Sequence, residues 1–139
     1  METDILTLDE FLSYCRQSLK YLEEFGFKEV TPPPHRRNNP FELWLKADKR
    51  TVIVEGSGWG KFASIELEHD DGFELAVVYL LPEDHLPKRQ KKRKTNPSQR
   101  EQVSRLARLL QEHGRDFLEG DLKRFFKYAG PLPPYKLPE

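Results

Sequence analysis

Apolar residues recur at a helical period near the start of the chain and at period two through its middle. Leu8, Phe11, Leu12, Cys15, Leu19, Leu22 and Phe25 share one helical face, which predicts a helix over residues 8–25. Thr7-Leu8-Asp9-Glu10 has the form of a capping box. In such a box the Thr7 hydroxyl accepts from the Glu10 amide, and the Glu10 carboxylate accepts from the Thr7 N–H. Gly26 supplies a left-handed stop.

The period then changes. A short strand is expected over Phe27 to Thr31, followed by an extended loop through Pro32-Pro33-Pro34 and the polar stretch to Pro40. Phe41, Leu43 and Leu45 alternate with Glu42, Trp44 and Lys46, and Thr51 to Glu55 is β-branched and apolar. These predict a hairpin around Asp48-Lys49-Arg50, with its register open by one residue. Strands are expected over 62–69 and 73–81, joined by Asp70-Asp71-Gly72. In that register His69 faces Phe73, Leu67 faces Leu75, Ile65 faces Val77 and Ala63 faces Tyr79, with Gly72 in the left-handed position of the loop.

Helical spacing returns with Val103, Leu106, Ala107 and Leu110. Here Asn96 reads as the N-cap, Pro97 as the first helical residue and Gly114 as the stop. A second helical piece carries Phe117, Leu118, Leu122, Phe125, Phe126 and Ala129, and stops at Gly130-Pro131. The order predicts an α+β fold: an N-terminal helix, an antiparallel four- or five-stranded meander, and two C-terminal helices packed on one face of the sheet. Residues 1–130 read as one domain, and 131–139 as a proline-rich tail. The expected core is Leu8, Phe11, Leu12, Cys15, Leu19, Ile65, Leu67, Leu75, Val77, Tyr79, Val103, Leu106 and Leu110.

Composition narrows the class. With 37% hydrophobic and 12% aromatic residues among 139, the chain can close one core without staples. Cys15 is the only cysteine, which rules out an intramolecular disulfide and a Cys-rich zinc site and favours a reducing compartment, the cytosol. Glu2, Asp4, Asp9 and Glu10 interrupt any apolar leader, and no run reaches the ~18 apolar residues of a membrane span. The zero net charge hides an asymmetry. Residues 1–87 hold nine basic and 17 acidic side chains, whereas residues 88–139 hold 14 basic and six acidic. Such bipolarity bears on partners, or on packing of one half against the other.

Motifs for chemistry are absent. Glu55 to Phe62 is glycine-rich and contains Gly-Lys, but Glu55 stands where a phosphate loop needs its first glycine, and Phe62 where it needs Ser or Thr. It reads as a flexible strand connection, with Trp59 as a potential binding anchor. Lys88, Arg89, Lys91, Lys92, Arg93 and Lys94 read as a mobile connection that permits nucleic-acid binding through phosphates. No aromatic residue lies between Glu83 and Glu112 to stack bases. Glu66 and Glu68 project from one sheet face with Glu74 nearby, and read as an acidic solvent- or partner-facing surface. His35, His69, His85 and His113 lack the spacing of a metal site and read as surface residues. Cys15 lies on an apolar stripe, as a structural thiol does. Ser57 and Ser64 lack a nucleophile context. The P-x-x-P at Pro131-Leu132-Pro133-Pro134 reads as a packed or frayed tail rather than a groove ligand. No catalytic, metal or cofactor site is expected.

The segment Val103 through Leu106, Leu109-Leu110, Gly114, Phe117-Leu118, Gly120-Asp121-Leu122 and Phe125 resembles the closing segment of small uncharacterised bacterial families. Some of these resemble the immunity proteins that accompany polymorphic toxins. The resemblance covers about 25 residues and implies a small bacterial binding protein without transferring a site. Two readings follow: a non-enzymatic protein-binding module, in its immunity form an inhibitor of a toxin, with Trp59, Glu66, Glu68 and Glu74 as contacts; or a nucleic-acid-associated protein using residues 88–94. An enzyme with a site assembled from distant residues comes third.

Overall fold

A computed structural model describes residues 6–36, 39–57, 62–80 and 98–137. The capping box forms in both directions, with Thr7 Oγ1 accepting from the Glu10 N–H at 3.2 Å and Glu10 Oε1 accepting from the Thr7 N–H at 3.0 Å. It opens α1 (Leu8–Ser18). The α-helix stops short of Phe25, because the chain tightens into a 3₁₀ turn over Lys20–Phe25. Leu19 and Leu22 are both buried, and their three-residue spacing suits that turn. The Tyr21 hydroxyl donates to the Ala107 carbonyl at 2.6 Å, tying this turn to the C-terminal helices. Gly26, at φ 86°, ends it as expected.

Six strands follow one another in a fully antiparallel meander: β1 (Lys28–Val30), β2 (Glu42–Ala47), β3 (Arg50–Gly56), β4 (Ala63–His69), β5 (Phe73–Ala76) and β6 (Gly130–Pro131). The hairpin register that the sequence left open pairs Ala47 with Arg50 and Leu43 with Val54. The expected pairs His69 with Phe73 and Leu67 with Leu75 form. Beyond Ala76 the strand gives way to a 3₁₀ turn, Val77–Leu80. Val77 and Leu80 are both buried, whereas Tyr79 is 55% exposed and is no part of the core. Leu8 and Leu12 are only half-buried, and the other expected core residues are buried.

At the C-terminal side three helices stand where two were expected: α2 (Gln99–His113), α3 (Arg115–Glu119) and α4 (Lys123–Tyr128). Gly120, at φ 94°, separates the last two. Ser98, rather than Asn96, caps α2, accepting from the Glu101 N–H at 3.2 Å. The sheet exceeds the expected four or five strands because Gly130 and Pro131 pair with Glu74 and Phe73. A proline is tolerated at such an edge because no ladder donor is needed there. Helices α1 and α2 cover one sheet face, and Phe11, Cys15, Val52, Val54, Ile65, Leu67, Val103 and Leu110 pack between the layers. Among the described residues, no helix is long and apolar enough to cross a membrane.

Candidate functional site

Strand alternation that sends Leu43, Val52, Val54, Ile65, Leu67 and Leu75 into the core turns their neighbours to the opposite face. That outer face carries Glu42, Trp44, Lys46, Thr51, Ile53, Glu55, Glu66, Glu68 and Glu74, with Lys46 paired to Asp70 at 3.1 Å. The register sets Glu42 directly opposite Glu55, and Glu68 directly opposite Glu74. Like charges facing each other across a ladder are destabilising unless a counter-charge is supplied.

Two segments distant in sequence bring cations to this face. The 3₁₀ turn Pro34–Arg36 carries Arg36, whose two terminal nitrogens donate to the two Glu68 carboxylate oxygens, each at 2.7 Å. The side chains are 10% and 6% exposed. The guanidinium also lies 4.5 Å from the centre of the Trp44 ring, an arrangement that planar Arg favours. Glu42 in turn accepts from the Trp44 indole N–H. From the C-terminal 3₁₀ turn Pro134–Lys136, the Lys136 ammonium donates to Glu74 at 2.9 Å and lies 3.5 Å from Glu66. Burial disfavours its charge, but the Glu74 hydrogen bond and the Glu66 carboxylate outweigh this and hold its pKa above the ordinary lysine value. Two hollows of about 580 and 380 Å³ flank these groups. His35, Arg36 and Lys136 line both. The larger also touches Trp44, Thr51 and Leu137, and the smaller Asn39, Glu42, Glu55, Glu66 and Tyr135.

Among the described residues, no cation lies within ion-pair distance of Glu42 or Glu55. Burial, and then the Glu42 carboxylate, hold Glu55 above its ordinary pKa of 4.5. Burial likewise raises Glu66. A carboxyl whose folded-state pKa is raised binds its proton more tightly folded than unfolded, so its contribution to stability declines as pH rises from about 4.5 through the folded value. Replacing Glu55 by Gln removes one such contribution. Urea unfolding at steps between pH 4.5 and 7 should show a shallower decline of stability for Glu55→Gln than for wild type; an unchanged slope would refute the assignment. Glu10 and Glu29, lowered by hydrogen bonds from Thr7 and Arg16, act below that window.

Glu66, Glu68 and Glu74 are therefore brought together, with oxygens within 4.8 Å of one another. This is the spacing at which carboxylates can share a cation, and Arg36 and Lys136 supply the positive charge here. One expectation is corrected: Glu68 is 5% exposed and faces Arg36 rather than solvent. Trp59 and the basic residues Lys88, Arg89, Lys91, Lys92, Arg93 and Lys94 lie outside the described residues, as does His85. What flanks the Trp59 connection is well defined. Gln99 Nε2 donates to the carbonyls of Ser57 and Phe62 at 3.2 and 2.9 Å, and Gln102 Oε1 accepts from the Ala63 N–H at 3.0 Å. The start of α2, just after the basic stretch, is thus tied to the base of the β3–β4 connection.

The surface reading of the histidines also needs correction at His69, which is 6% exposed. It packs against Phe125 and Phe126, and its Nδ1 accepts from the Asp71 N–H at 3.0 Å. His35 is half-buried. Burial pushes the Cys15 thiol up to about 12, which leaves it protonated and unreactive at neutral pH. Sequence reasoning missed Arg36, Glu42, Trp44, Glu55 and Lys136. The alternation of β2 and β3 held the signal for Glu42, Trp44 and Glu55, but no local pattern marks the two cations. No protein-family model matches this chain, and neither does any curated protein or solved structure.

Proposed function

We propose that this chain is a non-enzymatic protein-binding module whose outer sheet face engages a basic partner. The observation that carries the reading is the charge imbalance of that face: Glu42, Glu55, Glu66, Glu68 and Glu74 share it, and among the described residues only Arg36 and Lys136 lie within ion-pair distance of them, since Lys46 on the same face is paired with Asp70. A partner's Lys or Arg at the half-buried Glu42–Glu55 pair relieves a like-charge contact that the free protein retains. Electrostatic complementarity of this kind speeds encounter and sets specificity. Trp59, four residues beyond Glu55 in the β3–β4 connection, supplies the aromatic anchor. An inhibitor of a toxin, of the immunity type, is the finer form of this reading, and it rests on the C-terminal resemblance alone.

The test compares wild type with Glu42→Lys/Glu55→Lys and with Trp59→Ala in capture of partner proteins from the native lysate. A discrete basic partner should be captured by wild type, lost on charge reversal and weakened by Trp59→Ala. In parallel, single-stranded DNA and RNA are titrated across a salt series with wild type and with a Lys91, Lys92, Arg93 and Lys94 to Ala variant. The proposal fails if charge reversal leaves capture unchanged while the basic-stretch variant alone abolishes a steeply salt-dependent nucleic-acid affinity.

A further inference from the structure

The C-terminal segment crosses the acidic face as a bound peptide would. Gly130 and Pro131 add to the edge of β5 opposite Glu74 and Phe73, and the Leu132 N–H donates to the Gly72 carbonyl at 2.8 Å. Leu137 lies over Gly72, where an added Cβ would stand 3.6 Å from Leu137 Cδ2. Lys136 then hooks onto Glu74 and Glu66. Edge pairing combined with side-chain pockets is the mode by which sheets take up extended peptides. On either side of Lys136 the segment is open to solvent, Tyr135 being 71% and Leu137 39% exposed, whereas the Lys136 side chain is 16% exposed. Lys136 also stands in the wall common to the two hollows. Its withdrawal leaves Glu66 and Glu74 without a counter-charge among the described residues.

We infer that residues 130–137 form an intramolecular pseudo-ligand, a strap occupying a site for an extended peptide that presents a lysine. The inference rests on the outer face being the binding surface. A partner lysine takes the place of Lys136 at Glu66 and Glu74, while the partner backbone takes the place of β6 along β5. A lysine-bearing peptide fits better than a free cation because the β5 edge offers backbone hydrogen bonds that a free cation leaves unused.

The test uses the full chain, wild type and Lys136→Glu, titrated with a synthetic peptide spanning Gly130–Leu137 and followed by NMR at the amides of Gly72, Phe73 and Glu74. In wild type the tethered strap competes at an effective concentration of about millimolar. The variant, its own hook reversed, should therefore bind the peptide about tenfold tighter or more. A peptide carrying Lys136→Glu should bind neither chain. Lys136→Ala serves the same comparison if charge reversal impairs folding. In wild type, hydrogen exchange at the Leu132 amide should run about 100-fold faster than at Val52 or Ile65, reporting local release of the strap. Equal peptide affinity for both chains, or Leu132 exchanging in step with the core, would overturn the inference. A concentration-dependent dimer abolished by Lys136→Glu would also overturn it, by assigning the site to a second copy. None of these readouts needs the partner, so their failure is separable from failure of the charge-reversal capture.

Discussion

Glu68→Ala should lower folding stability by about 3–5 kcal/mol, the range for removing one member of a buried ion pair. The variant strands the Arg36 guanidinium, which is 10% exposed and otherwise satisfied by two 2.7 Å hydrogen bonds to Glu68. Among the described residues, the Trp44 ring at 4.5 Å and the more distant Glu42 and Glu55 carboxylates do not replace those two hydrogen bonds. Most of the loss is thus desolvation left uncompensated rather than attraction removed. It follows that an Arg36→Met/Glu68→Leu double variant should recover most of the stability, since apolar groups of similar volume replace buried pairs at little cost. Urea unfolding at pH 7 measures both. A loss below about 1 kcal/mol for Glu68→Ala would place the pair among exposed surface bridges, and the segment 34–36 would then have little hold on the sheet.

Phe11→Ala should cost a similar ~3–5 kcal/mol, for a different reason. Phe11 is fully buried and meets Phe41 edge-to-face at 5.5 Å between ring centres, so truncation opens a cavity between α1 and the sheet. Its ring also limits what Gly56 can become. A Cβ on Gly56 would stand 2.5 Å from Phe11 Cε1 and 2.6 Å from Gln99 Nε2. Gly56→Ala is therefore expected to destabilise by about 1–3 kcal/mol through overpacking. The two changes should not add: Gly56→Ala in a Phe11→Ala background has room on one side and should cost less than it does alone. Strict additivity in thermal or urea unfolding would show that Gln99, not Phe11, sets the limit. Because Gln99 also bonds the carbonyls of Ser57 and Phe62, this cycle reports how firmly the base of the Trp59 connection is held.

The sequence was readable where interacting residues are close along the chain. The capping box at Thr7, the stop at Gly26 and the pairing of Leu67 with Leu75 involve residues close along the chain. Their signals are local: a hydroxyl and a carboxylate three residues apart, a glycine at positive φ, alternation through a short loop. The α+β class follows from the same evidence, because period 3.6 and period 2 each dictate an element with one face to bury. Local patterns also placed Glu66, Glu68 and Glu74 together.

Tertiary packing decided the rest. Nothing near Arg36 in sequence says that it crosses 32 residues to Glu68, and nothing near Lys136 says that it reaches back 62 residues to Glu74. Such pairings depend on the helices covering one face and leaving the carboxylates on the other. The same holds for β5, whose alternating pattern runs on past Ala76 although the chain there turns so that Val77 and Leu80 both face the core. A two-residue strand containing proline carries no periodicity at all, so β6 exists only because the β5 edge was available to pair with it. Local periodicity determined which side chains share a face; long-range packing decided which charges meet there, and how deeply.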